Sequence, residues 1–184
     1  MSDLVAVTAF GRTDARHVRL GSFVLAEQVD IGLASFAMRR DAAAPHIEGF
    51  QLPEAGAWVE GGAISAFWTG PAQWMIEAKG RAQDNLEKHL GTAVPEAAVT
   101  EQTHGWVILE ILSEAGPRPI ERAMEKLVNC DPARFGPGKA TRTGIQHMSV
   151  FVIRRSPELL AVLGMRSMAH SLWHALETAV ARLA

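Results

Sequence analysis

His170, His174 and Glu177 have the types and the spacing of metal ligands. At i, i+4 and i+7 they fall on one face of a helix, where three donors can converge on a zinc-like ion. The opposite face carries Met168, Leu172, Leu176, Ala179 and Leu183, at steps of four and three. The His-Glu-x-x-His pattern is absent and no cysteine is near in sequence, so a solvated face opposite an apolar stripe is expected, with no metal.

Other candidates fail on their own terms. Gly138-Lys139 lies in a glycine-rich stretch, but a phosphate-binding loop needs Gly-x-x-x-x-Gly-Lys followed by Ser or Thr. Here Ala133 and Ala140 hold the first and last of those positions. No Gly-x-Gly-x-x-Gly follows a strand and no Gly-x-Ser-x-Gly elbow occurs. Cys130 would need a base such as His104 or His147 to act as a nucleophile, and no local signature supports the pairing. His104, beside Gly105, reads as a turn residue. No catalytic, cofactor-binding or metal-ligating residue is assigned.

The chain that must position these groups has 184 residues, 48% hydrophobic and 21% charged, a length that suits a single domain with a sizeable core. A net charge of −2 gives no electrostatic case for nucleic acid or an anionic membrane. No apolar run approaches the roughly 18 residues of a membrane span. The N-terminus lacks a basic region followed by an apolar core. With one cysteine, no internal disulfide forms, and a reducing cytoplasm is the expected compartment. Five Trp and no Tyr put unusual aromatic mass at the disposal of cores and interfaces.

Residues 1–28 lack a clean period and read as an N-terminal arm with one hairpin; 29–184 read as a single domain. Strands are expected over Val29–Arg39, Ile64–Trp68, Trp74–Ala78, Ala98–Thr103, Trp106–Leu112 and in the apolar runs Ile145–Arg154 and Leu159–Gly164. Helices are expected from about Arg81 to Leu90 with Gly91 as the stop, after Pro119 with the stripe Ile120, Ala123, Met124 and Leu127, and from an N-cap at Ser167.

The series contains an echo. Ile31–Phe50 and Trp106–Val128 each read strand, breaker, helix. Phe67–Leu90 and Phe151–Leu176 each read strand, proline turn (Pro71, Pro157), strand, helix. Two βαββα-like halves follow, in an α+β protein of mostly antiparallel sheet with helices packed to one side.

Several stretches in fixed order resemble the gamma subunit of heterotetrameric sarcosine oxidase: Ile31–Arg40 (IGLASFAMRR), Phe67–Ala78 (FWTGPAQWMIEA), Val99–Ile111 (VTEQTHGWVILEI), Gly116–Leu127 (GPRPIERAMEKL), Cys130–Thr143 (CDPARFGPGKATRT) and Met165–Leu176 (MRSMAHSLWHAL). The resemblance runs over about residues 28–182. It implies a fold similar to the folate-binding domain of the glycine-cleavage aminomethyltransferase, itself a duplicated fold. It also implies a non-catalytic accessory subunit, partnered by alpha and beta subunits and a small delta subunit. The assembled family enzyme oxidatively demethylates sarcosine to glycine, passing the one-carbon unit to tetrahydrofolate. Its FAD, FMN and NAD belong to the alpha and beta subunits, so no cofactor is expected in this chain. Folate-using relatives include a branch with a Lys-Gly-Cys-Tyr type motif. Residues 138–141 read Gly-Lys-Ala-Thr instead, and no one-carbon role is carried over. A free-standing folate or pterin binder on the same fold is the alternative.

The strand Trp106–Leu112 suggests where a partner docks. Val107, Leu109 and Ile111 share one side; Trp106, Ile108 and Leu112 share the other, interrupted by Glu110. A strand apolar on both sides is covered on both, either wholly within the domain or in part by a larger subunit; in the second case Trp106 and Ile108 are the expected contacts.

Overall fold

The computed structural model describes residues 5–39, 45–47, 49–131 and 134–184. In chain order it begins with strands β1 (His17–Leu20), β2 (Phe23–Gln28), β3 (Ile31–Ala37), β4 (His46–Ile47), β5 (Phe50–Gln51), β6 (Trp58–Gly61), β7 (Ile64–Gly70) and β8 (Gln73–Lys79). Helix α1 (Leu86–Ala93) follows, then β9 (Ala98–Glu101), β10 (Trp106–Ser113) and α2 (Pro117–Leu127). Strands β11 (Lys139–Ile145), β12 (Met148–Ser156) and β13 (Leu159–Met165) lead to α3 (Ala169–Ala181).

Two compact units result. One comprises the residues up to Val29 with Gly105–Pro137 and Arg142–Ala184; the other comprises Asp30–His104 with Gly138–Thr141. The first holds a six-stranded sheet in the order β1-β2-β10-β13-β12-β11, the second a five-stranded sheet in the order β6-β7-β8-β3-β9. The duplication is visible in these orders. In one sheet β3-β8-β7-β6 are neighbours, in the other β10-β13-β12-β11, the same succession of chain positions. Each half therefore has one strand more than expected, β6 and β11. The helix expected between Ile31 and Phe50 falls partly on 40–44, outside the described residues.

The outermost pairings are exchanged. Strand β9, which leads into β10, pairs antiparallel with β3; strand β2, which leads into β3, pairs antiparallel with β10. So Phe23–Gln28, expected in a separate arm, is an inner strand of the first sheet, with Phe23 and Leu25 buried in its core. A hairpin with β1 does form.

Alternation along each strand decides what faces the helices. Val107, Leu109 and Ile111 join Val150, Val152, Leu160 and Val162 under α2 and α3, which contribute Ile120, Met124, Leu172, Trp173 and Leu176. In the second unit Ala34, Phe36, Ile64, Ala66, Trp74, Ile76 and Ala78 take Leu86 and Leu90 of α1. The other sheet faces are buried too, as at Ile108, Leu163, Leu33 and Phe67. This is why the strands read as nearly continuous apolar runs.

Helix starts differ from expectation for local reasons. Residues Arg81–Asp84 close a turn, with Asp84 N–H donating to Arg81 O at 3.1 Å. Asn85 then caps α1, its side chain accepting Lys88 N–H at 2.8 Å. The helix passes Gly91 and ends at Ala93. Ser167 lies inside a 3₁₀ turn, Arg166–Met168, and does not cap α3; Met168, expected on the apolar stripe, is exposed. Helix α2 begins at Pro117, two residues before Pro119.

Gly32, which argued against a helix over Val29–Arg39, has a packing reason in β3. A Cβ there would lie 2.6 Å from Arg81 O and 2.8 Å from Leu86 Cδ1. Since the nearer obstacle is backbone, Gly32→Ala is expected to destabilise the chain by about 1–3 kcal/mol, the usual cost of overpacking. Thermal unfolding measures it, and a variant melting with the wild type would show that the β3–α1 approach is not tight.

Candidate subunit-docking surface

The residues singled out for chemistry are not brought together. His170 and His174 are exposed on α3, with the His170 ring edge-on to Phe10 at 5.1 Å. Glu177 faces Arg16 at 3.9 Å, and the Arg16 guanidinium lies over the Trp173 ring, 4.3 Å from its centroid. No three His, Cys, Asp or Glu among the described residues are placed to hold a metal ion. Cys130 packs half-buried against the first core, and burial pushes its thiol pKa up, the opposite of what a nucleophile needs. His104 sits in the 3₁₀ turn Thr103–Gly105 and His147 in the β11–β12 turn, both exposed. Gly138 and Ala140 are occupied with the main chain: Trp58 N–H donates to Gly138 O at 2.8 Å and Ala140 N–H to Gly56 O at 3.0 Å. Of the phosphate-loop comparison, Ala133 lies outside the described residues.

Three carboxylates that sequence reasoning passed over carry the polar architecture. Glu27, 5% exposed, accepts Ala9 N–H at 2.9 Å and Arg16 N–H at 3.1 Å, tying the N-terminal segment to β2. Glu101 accepts the N–H groups of Leu86 at 3.0 Å, Thr103 at 3.1 Å and Gln102 at 3.2 Å, and the Thr103 hydroxyl. Thr103 Oγ1 in turn accepts Leu33 N–H at 2.8 Å, so this one side chain joins β9, β3 and the start of α1. The two glutamates occupy equivalent places, opposite Leu109 and Ala34, in the two exchanged strands. A signal existed: Glu-Gln stands at the end of both strands, Glu27-Gln28 closing β2 and Glu101-Gln102 running out of β9. Glu77 is buried on β8, one of its oxygens accepting Trp58 Nε1–H and Ser65 Oγ–H, each at 3.0 Å.

At the proposed contact, Trp106 is half-buried, its ring 5.6 Å from that of Phe151. Its cross-strand partner is Met165, 45% exposed. Ile108 is 3% exposed within this chain, so what reaches the surface at this end of β10 is Trp106. No helix among the described residues is long and apolar enough to cross a membrane.

Mostly antiparallel sheets with few helices and a repeated strand order define an α+β protein of the aminomethyltransferase-like fold. Glycine cleavage system aminomethyltransferase T from Bartonella henselae aligns with a TM-score of 0.55 at 12% identity, over 82% of this chain and 44% of that one. A chain of the heterotetrameric sarcosine oxidase from Corynebacterium sp. U-96, in complex with pyrrole 2-carboxylate, aligns with a TM-score of 0.70 at 18% identity. That alignment covers 88% of this chain and 85% of that one. No curated protein matches the chain in sequence. The family model for sarcosine oxidase, gamma subunit, matches residues 34–182, and the chain belongs to that family.

Glu101 sets a pH dependence. Burial by itself would raise its pKa, but the Thr103 hydroxyl and the N–H groups of Thr103, Leu86 and Gln102 together outweigh burial and hold it below the ordinary carboxylate value. A depressed carboxylate stabilises the fold above its unfolded pKa, and that contribution is lost as pH falls through the folded value. Glu101→Gln is therefore expected to cost about 1 kcal/mol near neutral pH, a modest figure because solvent screens this partly exposed group. The variant and wild type should converge only at acid pH, below the depressed folded value. Melting curves at both pH values test this; an equal deficit at both would show that the carboxylate charge contributes nothing.

Proposed function

We propose that this chain is a non-catalytic accessory subunit of a flavin-dependent, heterotetrameric sarcosine oxidase. Its partners are alpha and beta subunits and a small delta subunit. The family match over residues 34–182 carries the reading. In it, FAD, FMN and NAD are held by the alpha and beta subunits and the complex uses tetrahydrofolate, while this chain supplies binding surface. The complex works in the cytoplasm, and the half-buried thiol of Cys130 suits a reducing compartment. A free folate or pterin binder would need a carboxylate available to a ring. The most buried one among the described residues, Glu77, already has donors of its own unit on it.

Two measurements test the reading. Purified alone, the chain should be colourless and without sarcosine-oxidising activity. Co-expressed with the larger subunits, it should co-purify with them. Stoichiometric flavin absorbance in the isolated chain would overturn the accessory role.

Trp106 is the anchor proposed for docking, as a large aromatic at the rim of a buried sheet face. Trp106→Ala should weaken association with the larger subunits by about 2 kcal/mol or more, the scale of an interface hot spot. The isolated variant should still unfold cooperatively. If it is unfolded by itself, Trp106 is a core residue and not an anchor.

A further inference from the structure

We propose that the docking surface is the whole end of the first sheet around Trp106, and that it takes an apolar segment bearing carboxylates on one of the larger subunits; this rests on the accessory-subunit reading. Six large apolar side chains are exposed among the described residues, and four lie at this end: Val7, Val29, Met165 and Met168, between 44% and 54% exposed. Met165 stands across from Trp106. Val29 lies one residue beyond the Gln28–Ile108 pair that ends the β2–β10 ladder. Val7 is brought to Met165 and Met168 by Arg166, whose Nη2 donates to Val7 O at 2.9 Å and Thr8 O at 2.7 Å. Leu112 is at the far end of β10.

Single exposed apolar residues are ordinary on a soluble protein, but four at one sheet end form a patch of the kind that marks an interface. The N-terminal part of this patch is also held firmly. Besides Arg166, the Glu27 carboxylate takes Ala9 N–H and Arg16 N–H, and the Phe10 ring packs edge-on to Trp173 at 5.5 Å. Ordering backbone costs roughly 1–2 kcal/mol per residue. Here the Glu27 carboxylate and the Arg166 guanidinium offset that cost and hold Val7 with its side chain exposed.

The charge around the patch indicates the partner's chemistry. Arg12, Arg142 and Arg166 make no ion pair among the described residues. Arg166 is spent on carbonyls, and Arg142 donates to Ser149 Oγ at 3.0 Å with its guanidinium 5.9 Å from the Phe151 ring centroid. Within this unit the exposed carboxylate nearest to them along the chain is Asp14, so guanidinium groups are in excess. A second copy would set like charges against one another, whereas a segment with carboxylates would pair them and steer the encounter.

The test uses the full chain co-expressed with the larger subunits, and two variants chosen because their side chains are exposed. Val7→Ser with Met168→Ser should speed dissociation about tenfold or more. Arg142→Glu should slow association and weaken its dependence on salt. Both should melt with the wild type. If wild type co-purifies and both variants associate as it does, the surface is wrong while the subunit reading stands. If wild type does not co-purify, the subunit reading has failed and this proposal with it. If the isolated chain sediments as a dimer that the double variant converts to monomer, the patch serves a second copy and the proposed partner is overturned.

Discussion

Two glutamates at the ends of exchanged strands hold the polar framework of this protein together. Each sheet borrows a strand from the segment just ahead of the other half, β2 beside β10 and β9 beside β3. A borrowed strand leaves its neighbouring loop without regular hydrogen bonding, and buried main-chain N–H groups must be satisfied. Glu27 and Glu101 do this with one side chain each, at the same point of the repeat. Hydrogen bonds to a charged acceptor are worth about 1.5–3 kcal/mol, so an uncharged replacement loses more than a contact.

Both sheets bury both faces, and this shapes what is left for function. The helices account for one face of each sheet, and the second faces are equally closed at Ile108, Leu163, Leu33 and Phe67. Large apolar side chains reach solvent mainly where the first sheet ends, and there they meet an N-terminal segment fixed by Glu27 and Arg166. An interface subunit needs such a surface: apolar, ordered before binding, and charged around it.

Two other buried polar side chains, Arg154 and Glu77, serve the chain's own backbone and side chains. Arg154, 3% exposed, donates to Ser156 O at 2.9 Å and to Pro157 O, closing the β12–β13 turn. Its burial lowers its pKa, while Glu121 and Glu158 pull the other way. Glu77 joins Trp58 and Ser65 inside the second unit. Both side chains are thus engaged within the fold itself.

Local chemistry was legible wherever it acts within a few residues. The strand expected over Trp74–Ala78 formed within β8, and the proline turns at Pro71 and Pro157 marked the repeated hairpins. The stripe Ile120, Ala123 and Met124 also formed as read. The β11–β12 hairpin was hidden because Gln146 and His147, at φ of 45° and 69°, adopt left-handed backbone without the glycine or asparagine that normally announces it. Ile145 and Met148 therefore read as one run. Only the tertiary structure could show the exchange of β2 and β9, since pairing partners far apart in the chain, such as Gln28 with Ile108 and Glu101 with Ala34, leave no trace in local periodicity. The same holds for Glu27 and Glu101, whose repeated Glu-Gln acquires meaning only once the loops they satisfy are folded beside them. The apolar end of the first sheet was likewise decided in three dimensions, where Val7 and Met168, far apart in the chain, are joined through Arg166.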